Sequence, residues 1–280
     1  MNKSVTLLTL VVVACLPASI LAADAQSVID KVLELQDERR AGVDRYVVEQ
    51  KIMGQVSKVV FERTTVTGPD GEPVETFSIV LPDDFAAPGG DSAVTREDFD
   101  DMAENGVHTI ADFSDNAQLV GTESIDGKET YHLVATGLDR TQEYSQGNSF
   151  TLQTVNVWVD SDKYVPLKMT MDGIMTTDGA PRPMTMEKLD QDYRNVPGSK
   201  MYESYKQIML MNGVMSDAER EQMEEARVAL AEFEQELLEM PQSQRDMMMN
   251  MMGEQIEMMR KLAAGDGLEI ITEVLSISVE

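Results

Sequence analysis

The chain has 280 residues, 50 acidic and 23 basic, and a formal charge of -27. A surface this negative repels phosphate backbones and anionic head groups, which sets nucleic acid aside as a partner and keeps the protein soluble. One cysteine and two histidines leave little material for disulfides, thiol chemistry or imidazole-based metal sites.

The first predicted element is a signal peptide over residues 1–25. Lys3 gives a short basic region, and residues 5–16 form an uncharged apolar run. Leu21-Ala22-Ala23-Asp24-Ala25 then supplies small side chains, so cleavage fits after Ala22 or after Ala25. The run is shorter than the ~20 residues of a membrane span, and no later segment approaches that length. The expected product is a periplasmic protein with no transmembrane segment. Val12-Val13-Ala14-Cys15 also reads as a lipobox, which makes lipidation of Cys15 the alternative to ordinary cleavage.

Residues 27–40 predict a helix with Val28, Val32 and Leu35 on one face, ended by Gly42. From Val43 the period falls to two, which predicts strands. Residues 56–67 and 74–81 flank Gly68-Pro69-Asp70-Gly71, a hairpin signature. Residues 95–103 predict a short helix capped by Thr95. Residues 118–124 and 130–136 flank Asp126-Gly127, the strongest turn signal in the chain. Residues 149–159 alternate, with Phe150, Leu152 and Trp158 on one face and Val155, Val157 and Val159 on the other. After a turn at residues 160–163, Val165, Leu167, Met169 and Met171 share a face. Residues 183–192 and 201–211 complete the run, which gives eight to ten strands in consecutive hairpins and a mostly antiparallel sheet.

Residues 214–265 interrupt that pattern. Ser216 and Glu219 form a capping box, and Met223, Ala226, Leu230, Phe233 and Leu237 recur at helical steps. Pro241 fits the first turn of a second helix carrying Met248, Met252, Ile256 and Met259, with Met247, Met251, Met258 and Leu262 beside them. The expectation is an antiparallel helical hairpin inserted before a last strand at residues 268–279.

Catalytic signatures are weak. There is no G-x-S-x-G elbow, no H-E-x-x-H and no glycine-rich phosphate loop. His132 lies inside a strand, where a packing role is expected, and Asp160-x-Asp162 reads as an acidic turn rather than a calcium loop. The sequence therefore predicts a protein that is not an enzyme, with no cofactor and no resident metal. Methionine is the outlier: the chain has 21, of which 13 follow residue 200. Flexible thioethers can fill a core, present a plastic apolar surface to acyl chains or a partner helix, or hold a soft cation such as Cu(I).

Three segments together carry a family resemblance. They are Gly121-Thr122-Glu123-Ser124-Ile125-Asp126-Gly127 with the following Tyr131-His132-Leu133-Val134, then Val155-Asn156-Val157-Trp158-Val159-Asp160, then Tyr164-Val165-Pro166-Leu167-Lys168-Met169. They resemble the LolA-like superfamily, which includes outer-membrane lipoprotein-sorting proteins and RseB-like periplasmic sensors. The resemblance spans residues 27–211 and the last strand. It implies an α+β fold: a curved antiparallel sheet, an incomplete barrel, with covering helices over an apolar cavity, here with the inserted hairpin at 214–265. It implies no catalytic residues. The expected site is an apolar cavity lined by Val155, Val157, Val159, Val165, Leu167, Met169, Met171 and Trp158. Met248, Met251, Met252 and Met259 of the hairpin are its expected lid. The expected partner is a lipid or an acylated protein. A periplasmic interaction or envelope-stress module that engages an envelope protein through the hairpin is the alternative, and copper handling a third.

Overall fold

The computed structural model describes residues 24–52, 54–80, 96–143, 149–177, 179–213, 240–248 and 267–280, together with 228, 229, 231–233, 235–238 and 253. Residues 1–23 of the expected signal peptide, with Ser216, Glu219, Met251, Met252 and Met259, lie outside the described residues.

Helix α1 (Ala25–Arg40) begins two residues earlier than the periodicity predicts, because Asp24 is its cap: the carboxylate accepts from the Ser27 backbone N–H at 2.7 Å. Its last turn carries Arg39 and Arg40, where the helix dipole favours cations. Arg63 reaches across to donate to the carbonyl of Arg40 at the helix end, at 2.9 Å, and to that of Val43 just beyond it, at 2.7 Å.

Ten strands make one sheet: β1 (Arg45–Ile52), β2 (Gln55–Thr67), β3 (Pro73–Val80), β4 (Ala117–Ile125), β5 (Lys128–Glu143), β6 (Ser149–Asp160), β7 (Pro166–Thr177), β8 (Ala180–Asn195), β9 (Tyr202–Asn212) and β10 (Gly267–Val279). The order is β3-β2-β1-β10-β9-β8-β7-β6-β5-β4, and every pairing is antiparallel. The expected turns are present. Gly68 N–H donates to the Glu72 carbonyl at 2.7 Å, and Asp126 and Gly127 both take positive φ, as a two-residue type I′ hairpin requires.

The meander is not continuous, however. After β3 the chain crosses to the far edge through a helix, and β10 returns to pair with β1. That helix, α2 (Arg96–Asn116), is much longer than the short one expected at 95–103. Val107 and Phe113 extend its apolar register beyond Gly106, a position that costs only about 1 kcal/mol relative to alanine. α2 contacts β2, β3 and β5. Ten flat strands would span roughly 43 Å, whereas 21 helical residues span about 31 Å. The sheet must therefore curl for one helix to reach both ends. It stays open, because edges β3 and β4 do not pair.

The curl buries an inner face beneath α1. One core cluster joins Ala25, Val28 and Ile29 of α1 to Leu133 and Val159, with Val32, Phe113 and Val157 packed against it. A second gathers Tyr46, Val48, Val196, Met201 and Ile277 on the β1–β10–β9 side. Burying each such aliphatic side chain stabilises the fold by about 1.5–3 kcal/mol.

A bulge corrects one face assignment. The register slips between Leu152 and Thr154, which leaves Gln153 as the extra residue. One inserted residue reverses the alternation. Leu152 therefore joins Val155 and Val159 as a buried residue instead of sharing a face with Trp158.

Candidate ligand-binding face

Residues directly opposite each other in an antiparallel pair share a face. Following the pairings across the sheet gives one inner ladder: Ala117, Ala135, Val155, Met171, Met186, Met211 and Leu268. A second runs beside it: Leu119, Leu133, Val157, Met169, Lys188, Met209 and Ile270. At the β5–β6 end these ladders are sealed: Ala135 is 0% exposed, Leu133 1% and Val155 4%. On β7, β8, β9 and β10, Met169, Met171, Met186, Met209, Met211, Leu268 and Ile270 are only half-buried. The inner face thus changes from a packed core into a partly open, methionine-rich stripe.

Beside the stripe lies a cavity of about 360 Å³. Its roof is the C-terminal half of α1 (Val32, Gln36, Arg39, Arg40), and its floor comes from β1, β8, β9 and β10. Tyr46, Phe61, Tyr164, Tyr193 and Tyr202 give it aromatic walls. Its polar groups are mostly paired. Arg40 donates to Glu203 at 3.0 Å, and Arg39 donates to the Lys163 carbonyl at 2.6 Å while its guanidinium lies over the Tyr202 ring. Tyr193 donates its hydroxyl to the Pro166 carbonyl at 2.6 Å, and Lys188 pairs with Asp190 at 2.9 Å.

Burial sets the electrostatics here. It pushes the Tyr46 phenol up to about 12, and pushes Tyr193 further in the same direction. Burial opposes the charge of Arg40 most strongly, but Glu203, Tyr46 and Asp37 together more than offset it, and the guanidinium is held above its usual value. Burial also raises Asp190, against the pull of Lys188.

Of the residues expected at the site, Val155, Val157, Val159, Met169 and Met171 do share the inner face, and Val165 lines the cavity. Val159 and Val157 pack in the core under α1, and Leu167 is buried as well. Trp158 does not join them. It lies on the opposite face, stacked on His132 at 4.3 Å between ring centroids, with the Lys168 ammonium 5.2 Å from its ring centre. Its indole N–H donates to Glu123 at 3.1 Å, and the His132 ring bonds Glu123 and Asn156. The indole bond, with His132 second, holds the Glu123 carboxyl below its usual value. Asp160 serves its turn, accepting from the backbone N–H groups of Asp162 at 2.8 Å and Lys163 at 2.9 Å. Met248 packs with Leu237, Phe233 and Met240 of the same inserted segment.

Sequence reasoning missed Met184, Met186, Met209 and Met211, although the period-two pairs 184/186 and 209/211 were the available signal. It also missed Arg39, Arg40, Asp190 and Glu203. Those four come together only through the packing of α1 over β8 and β9, which no local pattern announces.

No family model and no curated protein matches the chain. Among solved structures, it is similar to a domain from Vibrio parahaemolyticus described as an outer membrane lipoprotein-sorting protein, at 12% identity over 90% of this chain and 93% of that one, with a TM-score of 0.37. It is similar to a DUF1329 family protein from Desulfovibrio piger at 13% identity over 66% and 85%, with a TM-score of 0.33. It is also similar to the lipoprotein LppX of Mycobacterium tuberculosis at 14% identity over 53% and 89%, with a TM-score of 0.25. The open, curved antiparallel sheet observed here is the architecture that the sequence resemblance implies. Likeness at these scores carries no functional weight, so function must come from the site itself. Among the described residues, no helix is long and apolar enough to cross a membrane.

Proposed function

We propose that this chain is a non-enzymatic binding or carrier protein of the periplasm. Its inner sheet face takes an apolar ligand, a lipid or the acyl chains of a lipoprotein. The observation that carries the reading is the half-buried stripe of Met171, Met186, Met211 and Leu268 with Met169, Met209 and Ile270, lying beside the α1-roofed cavity. Unbranched thioethers adapt to chains of varied shape. Each Å² of apolar surface such a ligand covers is worth about 25 cal/mol before the costs of association. The inserted segment leaves and re-enters the sheet at Asn212 and Gly267, beside Met211 and Leu268, which suits it as a cover for the stripe. Native mass spectrometry of protein taken from a membrane extract tests the proposal. A co-purifying lipid is the expected result. A bare mass, with no uptake of a fluorescent fatty-acid ester, overturns it.

A second reading has its own support. Val228, Leu238 and Met247 of the inserted segment are exposed at 52%, 69% and 59%. Exposed apolar side chains on a helical segment suit a partner protein. Pull-down of the full chain against one lacking residues 213–265 separates the readings: loss of a partner with lipid uptake intact supports an interaction module.

A further inference from the structure

The cavity holds one feature that an apolar ligand alone does not use. Asp190 is 7% exposed, and its Oδ2 is paired with Lys188 at 2.9 Å. Its Oδ1 is buried with no hydrogen-bond partner among the described residues. The charged groups around it, Arg39, Arg40, Glu203 and Lys188, each have a partner within the protein, as does the Tyr193 hydroxyl. A buried carboxylate oxygen left without a donor is costly, and a ligand that supplies one removes the cost.

The position of Asp190 gives that donor a direction. Met184, Met186, Lys188 and Asp190 follow at period two along β8, so they line one face. From Asp190 to Met186 is about 13 Å, and to Met184 about 20 Å. One strand therefore presents a carboxylate at one end and thioethers at the other, joined by the aliphatic stem of Lys188.

We propose that Asp190 anchors the polar head of an amphiphile laid along β8. Oδ1 accepts a hydrogen bond from a neutral hydroxyl donor on the head, and the acyl chain runs over Met186 and Met171. This inference rests on the binding reading of the same face and adds the chemistry of the head group. A hydroxyl satisfies the carboxylate; an ester oxygen cannot, because it has no hydrogen to donate, and a free fatty-acid carboxylate meets it charge to charge.

The test is displacement of a fluorescent fatty-acid methyl ester from the full chain, below micellar concentrations, by monooleoylglycerol, methyl oleate and oleate. Monooleoylglycerol is expected to displace the probe at about tenfold lower concentration than methyl oleate, the ratio one charge-assisted hydrogen bond supplies. Asp190→Asn keeps the side chain's shape. With its carbonyl oxygen turned to Lys188, its amide N–H group stands where Oδ1 stood, so the preference is expected to vanish or reverse. Equal displacement by the two esters in both proteins overturns the anchor and leaves the binding reading standing, since the probe has bound. A probe that never binds the native chain overturns the binding reading, and the anchor with it.

Discussion

The two ends of the inner face are built from the same ladders, and they differ in what lies above them. On β5 and β6 the rungs are Ala135, Leu133, Val155 and Val157: Leu133 and Val157 pack in the cluster with Val28, Ile29 and Val32 of α1, and Ala135 and Val155 are buried beside them. From β7 to β10 the rungs become Met171, Met186, Met211, Met169 and Met209, and none is fully buried. Small and branched side chains with few rotamers suit a permanent packing partner. Long thioethers suit a partner that changes or departs. The contrast separates the part of this face that holds the fold from the part available for a ligand.

Substitutions sharpen that contrast. Leu133→Ala at the sealed end is expected to cost about 2–5 kcal/mol in urea unfolding, because its cavity cannot collapse under α1. A loss below 1 kcal/mol would show that this end is not sealed. Arg40→Ala removes the partner of Glu203 at the cavity roof, where both side chains remain about a quarter exposed: 25% and 27%. A loss of roughly 1–2 kcal/mol is expected, less than for a fully buried pair. Met186→Lys at the open end is expected to change stability by less than about 1 kcal/mol, since the lysine stem can lie on the sheet and its ammonium reach water. The same substitution should weaken uptake of a fluorescent fatty-acid ester about tenfold, the effect of one or two lost methylene contacts. If Met186→Lys destabilised the fold as much as Leu133→Ala, the two ends would be alike.

The smallest expected effect is a pH dependence. Burial raises the Asp190 carboxyl in the folded state, with Lys188 opposing. A group bound more tightly to its proton when folded stabilises the protein fully below its unfolded value, about 3.9. That contribution fades as pH rises through the folded value. Unfolding measured from pH 4 upward should therefore show a fall in stability that Asp190→Asn lacks. Parallel profiles in the two proteins would place Asp190 in contact with solvent.

Much of the architecture was legible in the sequence, for local reasons. Asp126-Gly127 and Gly68-Pro69-Asp70-Gly71 dictate their turns through positive φ and a side-chain bond, and period-two alternation marks the strands. The errors arose where a non-local term won. The Gln153 bulge reversed the faces of β6, and the contact with both ends of the sheet stabilised a longer α2. The site was half legible. Met169 and Met171 could be placed on the inner face because their own strand alternates. The rungs that continue their rows, Met186 and Met211, are set by a register between strands that a single strand does not encode.

The most direct test labels the methionine methyl groups with 13C and follows them by NMR as a neutral amphiphile such as monooleoylglycerol is added. The account predicts that the methyls of Met169, Met171, Met186, Met209 and Met211 move together and saturably, while buried Met201 stays in place. Saturable binding that leaves those five unmoved would contradict it.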